Sequence, residues 1–169
     1  MDHKDALYTY LKSQRLMALA TRGKTIANCV VYYAVDENFN FYFISEPDSE
    51  HCTNITSDPN VACSITDSQQ PVRAKKIGVQ IKGTVTDIHG IDRLDAIIDL
   101  WNSTNPGMEA IISINNFRNK ILKSHAYKIQ PAEIKFFNED LYGEEGSETF
   151  AWYTDGKLRS TQEFTGNVF

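Results

Sequence analysis

No stretch of this sequence is apolar for anything near the roughly 18 residues that a membrane-spanning helix needs, and no apolar run follows a basic leader. The expectation is a soluble, cytoplasmic protein without a membrane partner. Cations are scarce as well: 17 Lys and Arg stand against 22 Asp and Glu, a formal charge of −5. That balance argues against bulk attraction to nucleic acid, and the one basic concentration, Arg73, Lys75 and Lys76, reads as a solvated loop. Cysteine is limited to Cys29, Cys52 and Cys63, an odd number with no CxxC spacing, so reduced and mostly packed thiols are expected. His3, His51, His89 and His125 lie scattered, without the spacing of a structural zinc site. The chain also lacks a GxSxG elbow, a Walker-type glycine loop and a GxGxxG fingerprint. Cys52 next to His51 does not make a nucleophile and base, because adjacent helical side chains point apart.

What is present is enough for one sizeable core: 169 residues, 41% of them hydrophobic, fit a single domain spanning residues 1–169. Ala6, Leu7, Tyr10 and Leu11 recur at helical spacing and predict a first helix over residues 3–14. Residues 16–20 and 26–35 read as antiparallel strands around the turn Thr21-Arg22-Gly23-Lys24. Residues 40–45 follow as a strand that is apolar on both faces and therefore covered on both. Pro47 ends it, Asp48 or Ser49 caps a short helix, and Asp58-Pro59 closes that helix before a strand over 61–66. Strict alternation from Lys76 to Ile88 predicts a long half-buried strand in which Gly83 permits a bend or close backbone approach. The period then changes to that of a helix through Ile88, Ile91, Leu94, Ile97, Ile98 and Trp101. Beyond the turn Asn105-Pro106-Gly107, Ile111, Ile112 and Ile114 suit either a strand or a buried helix, and a helix over 108–123 is the expectation taken. Residues 125–130 and 132–138 form either a last strand pair or one bent strand. An acidic tail over 139–169 remains, with Phe150, Trp152, Tyr153 and Phe169 expected to pack, on a second subunit if not on the first. Six or so strands with inserted helices suggest a mainly β fold, a small antiparallel barrel with appended helices.

One segment carries chemistry. Between the aromatic strand ending at Ser45 and the helix beginning near Ser49, hydroxyls meet the amide groups of a helix N-terminus, a setting in which phosphate groups bind. Ser45, Ser49 and His51 are the candidate contacts.

The order of several short patterns resembles the pyridoxamine 5′-phosphate oxidase-like FMN-binding split-barrel superfamily, in particular a small bacterial branch of it. They are Ala27-Asn28-Cys29-Val30-Val31-Tyr32-Tyr33, Phe43-Ile44-Ser45, Ser49-Glu50-His51 with Asn54-Ile55, and Asp58-Pro59-Asn60-Val61, then Gly78 to Gly83 and Pro131 to Phe137. The resemblance covers roughly residues 15–138, so the helix 1–14 and the tail 139–169 flank the barrel. It implies a homodimer with FMN in the cleft between two chains and a small-molecule substrate. Carried over by position, Asn28, Cys29, Val30 and Val31 would line the flavin ring through backbone groups, with Ser45 near the ribityl or phosphate. Ser49 and His51 would hold the phosphate end, and Phe137 would cover the ring across the dimer.

The chain departs from that family where Asn28, Glu50 and His51 stand in place of Arg or Lys. Lys24 and Lys82 are candidates for the missing charge. Where the oxidases carry basic residues near the C-terminus, this chain has Glu139, Asp140, Glu144, Glu145 and Glu148, which argues against pyridoxamine phosphate as substrate. The expected function is an FMN-dependent oxidoreductase or flavin reductase-like protein with an unidentified small organic substrate. The alternative is a non-catalytic flavin- or haem-binding sensing module with His51, His89 or His125 as axial ligand.

Overall fold

The computed structural model describes residues 2–89, 91–153 and 157–163, with the backbone alone for Ile91, Asp92 and Arg93. Helix α1 (His3–Ser13) starts at Asp2, whose carboxylate accepts from the Lys4 N–H, and buries Leu7, Tyr10 and Leu11. Among the described residues eight strands follow: β1 (Leu16–Arg22), β2 (Ile26–Val35), β3 (Phe41–Ser45), β4 (Asn60–Ile65), β5 (Ile77–Asp87), β6 (His125–Asn138), β7 (Ser147–Trp152) and β8 (Leu158–Glu163). Their order in one antiparallel sheet is β3-β2-β1-β4-β5-β6-β7-β8, and β3 also pairs with β6. The first six strands therefore close into a barrel, while β7 and β8 extend outward from β6.

Closure requires one edge of β6 to serve two partners. His125 to Ile129 pair with Ser45 to Phe41, whereas Glu133 to Phe137 pair with Ala151 to Ser147. A bend between these halves turns the strand out of the barrel wall. It lies at Pro131 and Ala132, opposite a register shift between Lys82 and Gly83. A Cβ on Gly83 would sit 2.5 Å from the Gln130 carbonyl oxygen and 3.0 Å from Pro131 Cα, so only glycine admits the approach. Residues 125–138 are thus a single bent strand.

Inward positions alternate as the pleat demands: Met17, Leu19, Tyr33, Phe41, Phe43, Ile65, Ile81, Ile129, Ile134 and Phe136 are almost fully buried. Helix α1 covers the barrel end where β1 begins, held by a Tyr33 Oη hydrogen bond to the Leu11 carbonyl at 2.6 Å. Helix α2 (Glu50–Ser57) covers the opposite end with Cys52 and Ile55, and Asn54 Nδ2 donates to Thr21 Oγ1 at 3.2 Å. Helix α3 (Ile91–Thr104) forms a second core with Ala34 and Ile44 through Ile98 and Trp101. This accounts for the apolar outer face of β3.

Two expectations are corrected. Only Ile114–Arg118 is helical (α4) in the span 108–123, because Asn116 Nδ2 donates to the carbonyls of Ala110 and Ile111 and folds the preceding residues into a loop. Its isoleucines serve burial of Ile112, not a helical stripe. The region after residue 138 is not merely an acidic tail: α5 (Glu139–Tyr142), β7 and β8 form there. Phe150 packs into the core, and buried Glu148 accepts from His3 Nδ1 at 2.7 Å. Burial alone would raise that carboxyl, but bonds from Ser160 and His3 outweigh it and hold it below the usual carboxylate range. The predicted packing of Phe169 and of the Ile91 side chain falls outside the described residues.

Gly83→Ala is expected to cost about 2–4 kcal/mol in urea unfolding, through a backbone clash that no rotamer relieves. Gly78→Ala, whose Cβ would meet Ile65 O at an ordinary 3.6 Å, should cost less than about 1 kcal/mol. Equal losses would mean that the bend does not depend on Gly83.

Candidate functional site

Beyond Ser45 the chain leaves the sheet through Glu46, Pro47 and Asp48, and re-enters order at Ser49, the N-cap of α2. The Ser49 side chain makes no capping bond. It turns instead to His51, whose Nε2 lies 3.2 Å from Ser49 Oγ and 2.7 Å from Ser45 Oγ. Three of the residues predicted from sequence therefore form one hydrogen-bonded group. Burial lowers the His51 pKa from its ordinary 6.5, against the opposing pull of Glu50, so the ring is neutral at pH 7.

Asn28, Cys29, Val30 and Val31 lie on the neighbouring strand with alternating orientation. Asn28 and Val30 face outward and are exposed, whereas Val31 is buried and Cys29 half-buried. Burial pushes the Cys29 thiol up, and pushes Cys63 up to about 12, so neither supplies a thiolate nucleophile at neutral pH. The feature of interest is the strand's backbone. Residues 26–32 pair with β1, but β3 pairs with β2 only at Tyr33, Ala34 and Val35. Because the Tyr33 N–H points to Arg15 O on the β1 side, alternation turns the peptide groups of Asn28 and Val30 to the edge that β3 has left. Among the described residues no strand occupies that edge.

The barrel rim adds residues that sequence reasoning had not placed there. Ser45 is directly opposite His125 in the β3–β6 register. His125 Nδ1 lies 2.8 Å from Asp87 Oδ2, His89 Nε2 lies 3.7 Å from the same oxygen, and Tyr127 stacks on Phe43 at 5.0 Å between ring centroids. Burial, then Cys52, pushes the Tyr127 phenol up, so it stays a neutral polar group. The sequence signal available was slight: His125 opens a strand, and its partner is 80 residues away along the chain. Among the described residues no group of His, Cys, Asp or Glu side chains is arranged to hold a metal ion.

Phe137 does not join this group within one chain. It stands at the far end of β6 and lines a cavity of about 510 Å³ with Gly78, Lys76, Ser147 and Lys135, whose Nζ is 5.2 Å from the ring centre. Of the candidate cations, Lys82 is paired with Glu133 at 2.9 Å, whereas Lys24 lines a groove together with Glu50, the residue after Ser49.

Against the FMN that the resemblance implies, the donor set fits one half of the molecule. An open strand edge presenting N–H and C=O suits the alternating acceptors and donor of an isoalloxazine ring. The polar end fits a dianionic phosphate poorly, because the serine turn offers neutral hydroxyls and a neutral imidazole with no cation among them, and Glu50 occupies the first turn of α2.

The profile of the pyridoxamine 5′-phosphate oxidase family matches residues 3–138. No curated protein sequence matches the chain. Among solved structures it is similar to the conserved hypothetical protein Rv2991 from Mycobacterium tuberculosis, with TM-score 0.68, 16% identity, and 83% of this chain and 87% of that one covered. Campylobacter jejuni ChuZ gives TM-score 0.71 at 18% identity, over 99% of this chain and 65% of that one. A heme binding protein from Mycobacterium smegmatis gives 0.67 at 15%, over 95% and 58%. At these identities the likeness is one of fold.

Neutral His51 has a direct check. Its ring protons, followed by NMR, should titrate with a midpoint below about 6.5, and a midpoint above that value would mean that a negative neighbour, not burial, controls the ring.

Proposed function

Because the chain belongs to the pyridoxamine 5′-phosphate oxidase family, we propose that it is a flavin-binding oxidoreductase, working as a homodimer on a small organic substrate. The observation that carries this reading is the open edge of β2 at Asn28–Val31 beside the Ser45, Ser49 and His51 group. A bound flavin supplies two-electron chemistry, which the side chains of this site lack. The chain's own part is to orient: peptide groups of Asn28 and Val30 meet the ring edge, and the serine turn meets the ribityl end.

A second copy is supported by the outer face of the barrel. Ile26 is 81% exposed, Val30 63%, Tyr32 54% and Leu16 47%, and β1 adds Ala18 and Ala20 between them. A mostly apolar strand face of this kind, interrupted on β2 by Asn28, suits burial against another chain. Phe137 of the second copy would then cover the ring.

One observation favours a second reading, a haem-binding module. Asp87 holds His125 by Nδ1, the arrangement that orients an imidazole for ligation through its other nitrogen. A structural neighbour is named as a heme binding protein.

Native mass spectrometry of the purified protein should report a dimer retaining a flavin mass, with flavin absorbance; a haem absorbance band instead would favour the second reading. A colourless protein, after expression with excess riboflavin, would end both. Val30→Asp should shift the dimer to monomer. Joint Ser49→Ala and His51→Ala should lower flavin retention by about tenfold or more, whereas His3→Ala should leave it near wild type.

A further inference from the structure

We infer that the polar end of this site selects a flavin whose ribityl chain ends in a hydroxyl, riboflavin, over the phosphorylated form FMN. The inference rests on the flavin reading above and concerns the chemistry of the ligand's tail.

The first support is the neutrality of the serine turn. A neutral imidazole nitrogen carries either one lone pair or one proton, so His51 Nε2 engages one serine at a time, and the turn offers a ligand uncharged hydroxyl donors and acceptors with no cation among them. A phosphate offers acceptors alone and requires donors directed at it. A terminal hydroxyl both donates and accepts, and it can join such a group without breaking it.

Charge is the second support. Glu46 and Asp48 lie between the two serines, Glu50 follows them, and Asp87 stands at the same rim beside His125. Of the cations on the β1–β2 hairpin that shares a groove with α2, Arg22 is engaged by Asp58, with Nε donating at 2.8 Å. Lys24 and Glu50 both line that groove and together bring it no net charge. The helix N-terminus, the one anion-attracting element, already carries Glu50 in its first turn. A tail of charge near −2 meets a site with no net positive charge. An uncharged tail meets only hydrogen-bonding groups.

The test compares riboflavin and FMN on the full chain by quenching of flavin fluorescence. Riboflavin should bind at least about tenfold more tightly at about 10 mM salt, and the gap should narrow towards about 0.5 M salt as repulsion is screened. His51→Lys should reverse the order, tightening FMN at least about tenfold while weakening riboflavin, whose terminal hydroxyl loses its imidazole partner. If that variant fails to fold, the salt series on the unaltered protein decides alone. FMN binding equal to or tighter than riboflavin, or FMN affinity falling as salt rises, overturns this inference and leaves the flavin reading standing. Binding of neither flavin overturns both.

Discussion

The structure turns on the close contact between Gly83 and the backbone at Gln130 and Pro131. Without a side chain at position 83, β6 can bend, and only a bent β6 can give its first half to β3 and its second half to β7. The first pairing closes the barrel and buries its aromatic interior. The second carries Phe137 and the added strands away from the barrel wall. A straight β6 would force β3 and β7 to compete for one edge, and either the core or the extension would be lost.

The same closure creates the candidate site by default. β3 pairs with β6 along all five of its residues but with β2 at only three, and among the described residues the peptide groups of Asn28 and Val30 have no strand partner on that edge. Backbone groups so exposed beside an apolar outer face invite a flat ligand with edge donors and acceptors. Pairing of Ser45 with His125 brings Asp87 and Tyr127 to the rim where Ser49 and His51 stand. Family membership follows from the sequence profile and agrees with the fold, but the polar end of the site is its own: hydroxyls and a neutral ring occupy positions for which the family resemblance implies cations.

Much of this was legible from residues alone. Alternation at Ile77–Val85, the break at Pro47 and the helical period after Ile88 are local signals, set by which side chains one element must bury. Ser45, Ser49 and His51 were found because six residues of chain separate them at most. The tail was misread because its acidic residues suggested solvent, whereas Glu148 is buried and hydrogen-bonded to a histidine 145 residues away. The 108–123 segment was misread because three isoleucines suit a helix as readily as a loop that buries one of them.

Taken alone, the amino-acid order determined the kinds of element, their approximate ends, and the lack of cations at the serine turn, since those depend on neighbours along the chain. Only the tertiary structure decided that β3 would bridge β2 and β6 and so close the barrel, that His125 and Asp87 would stand beside Ser45, and that Phe137 would lie far from them. Pairing across tens of residues is settled by the total burial of the closed barrel, a quantity that no short window of sequence contains.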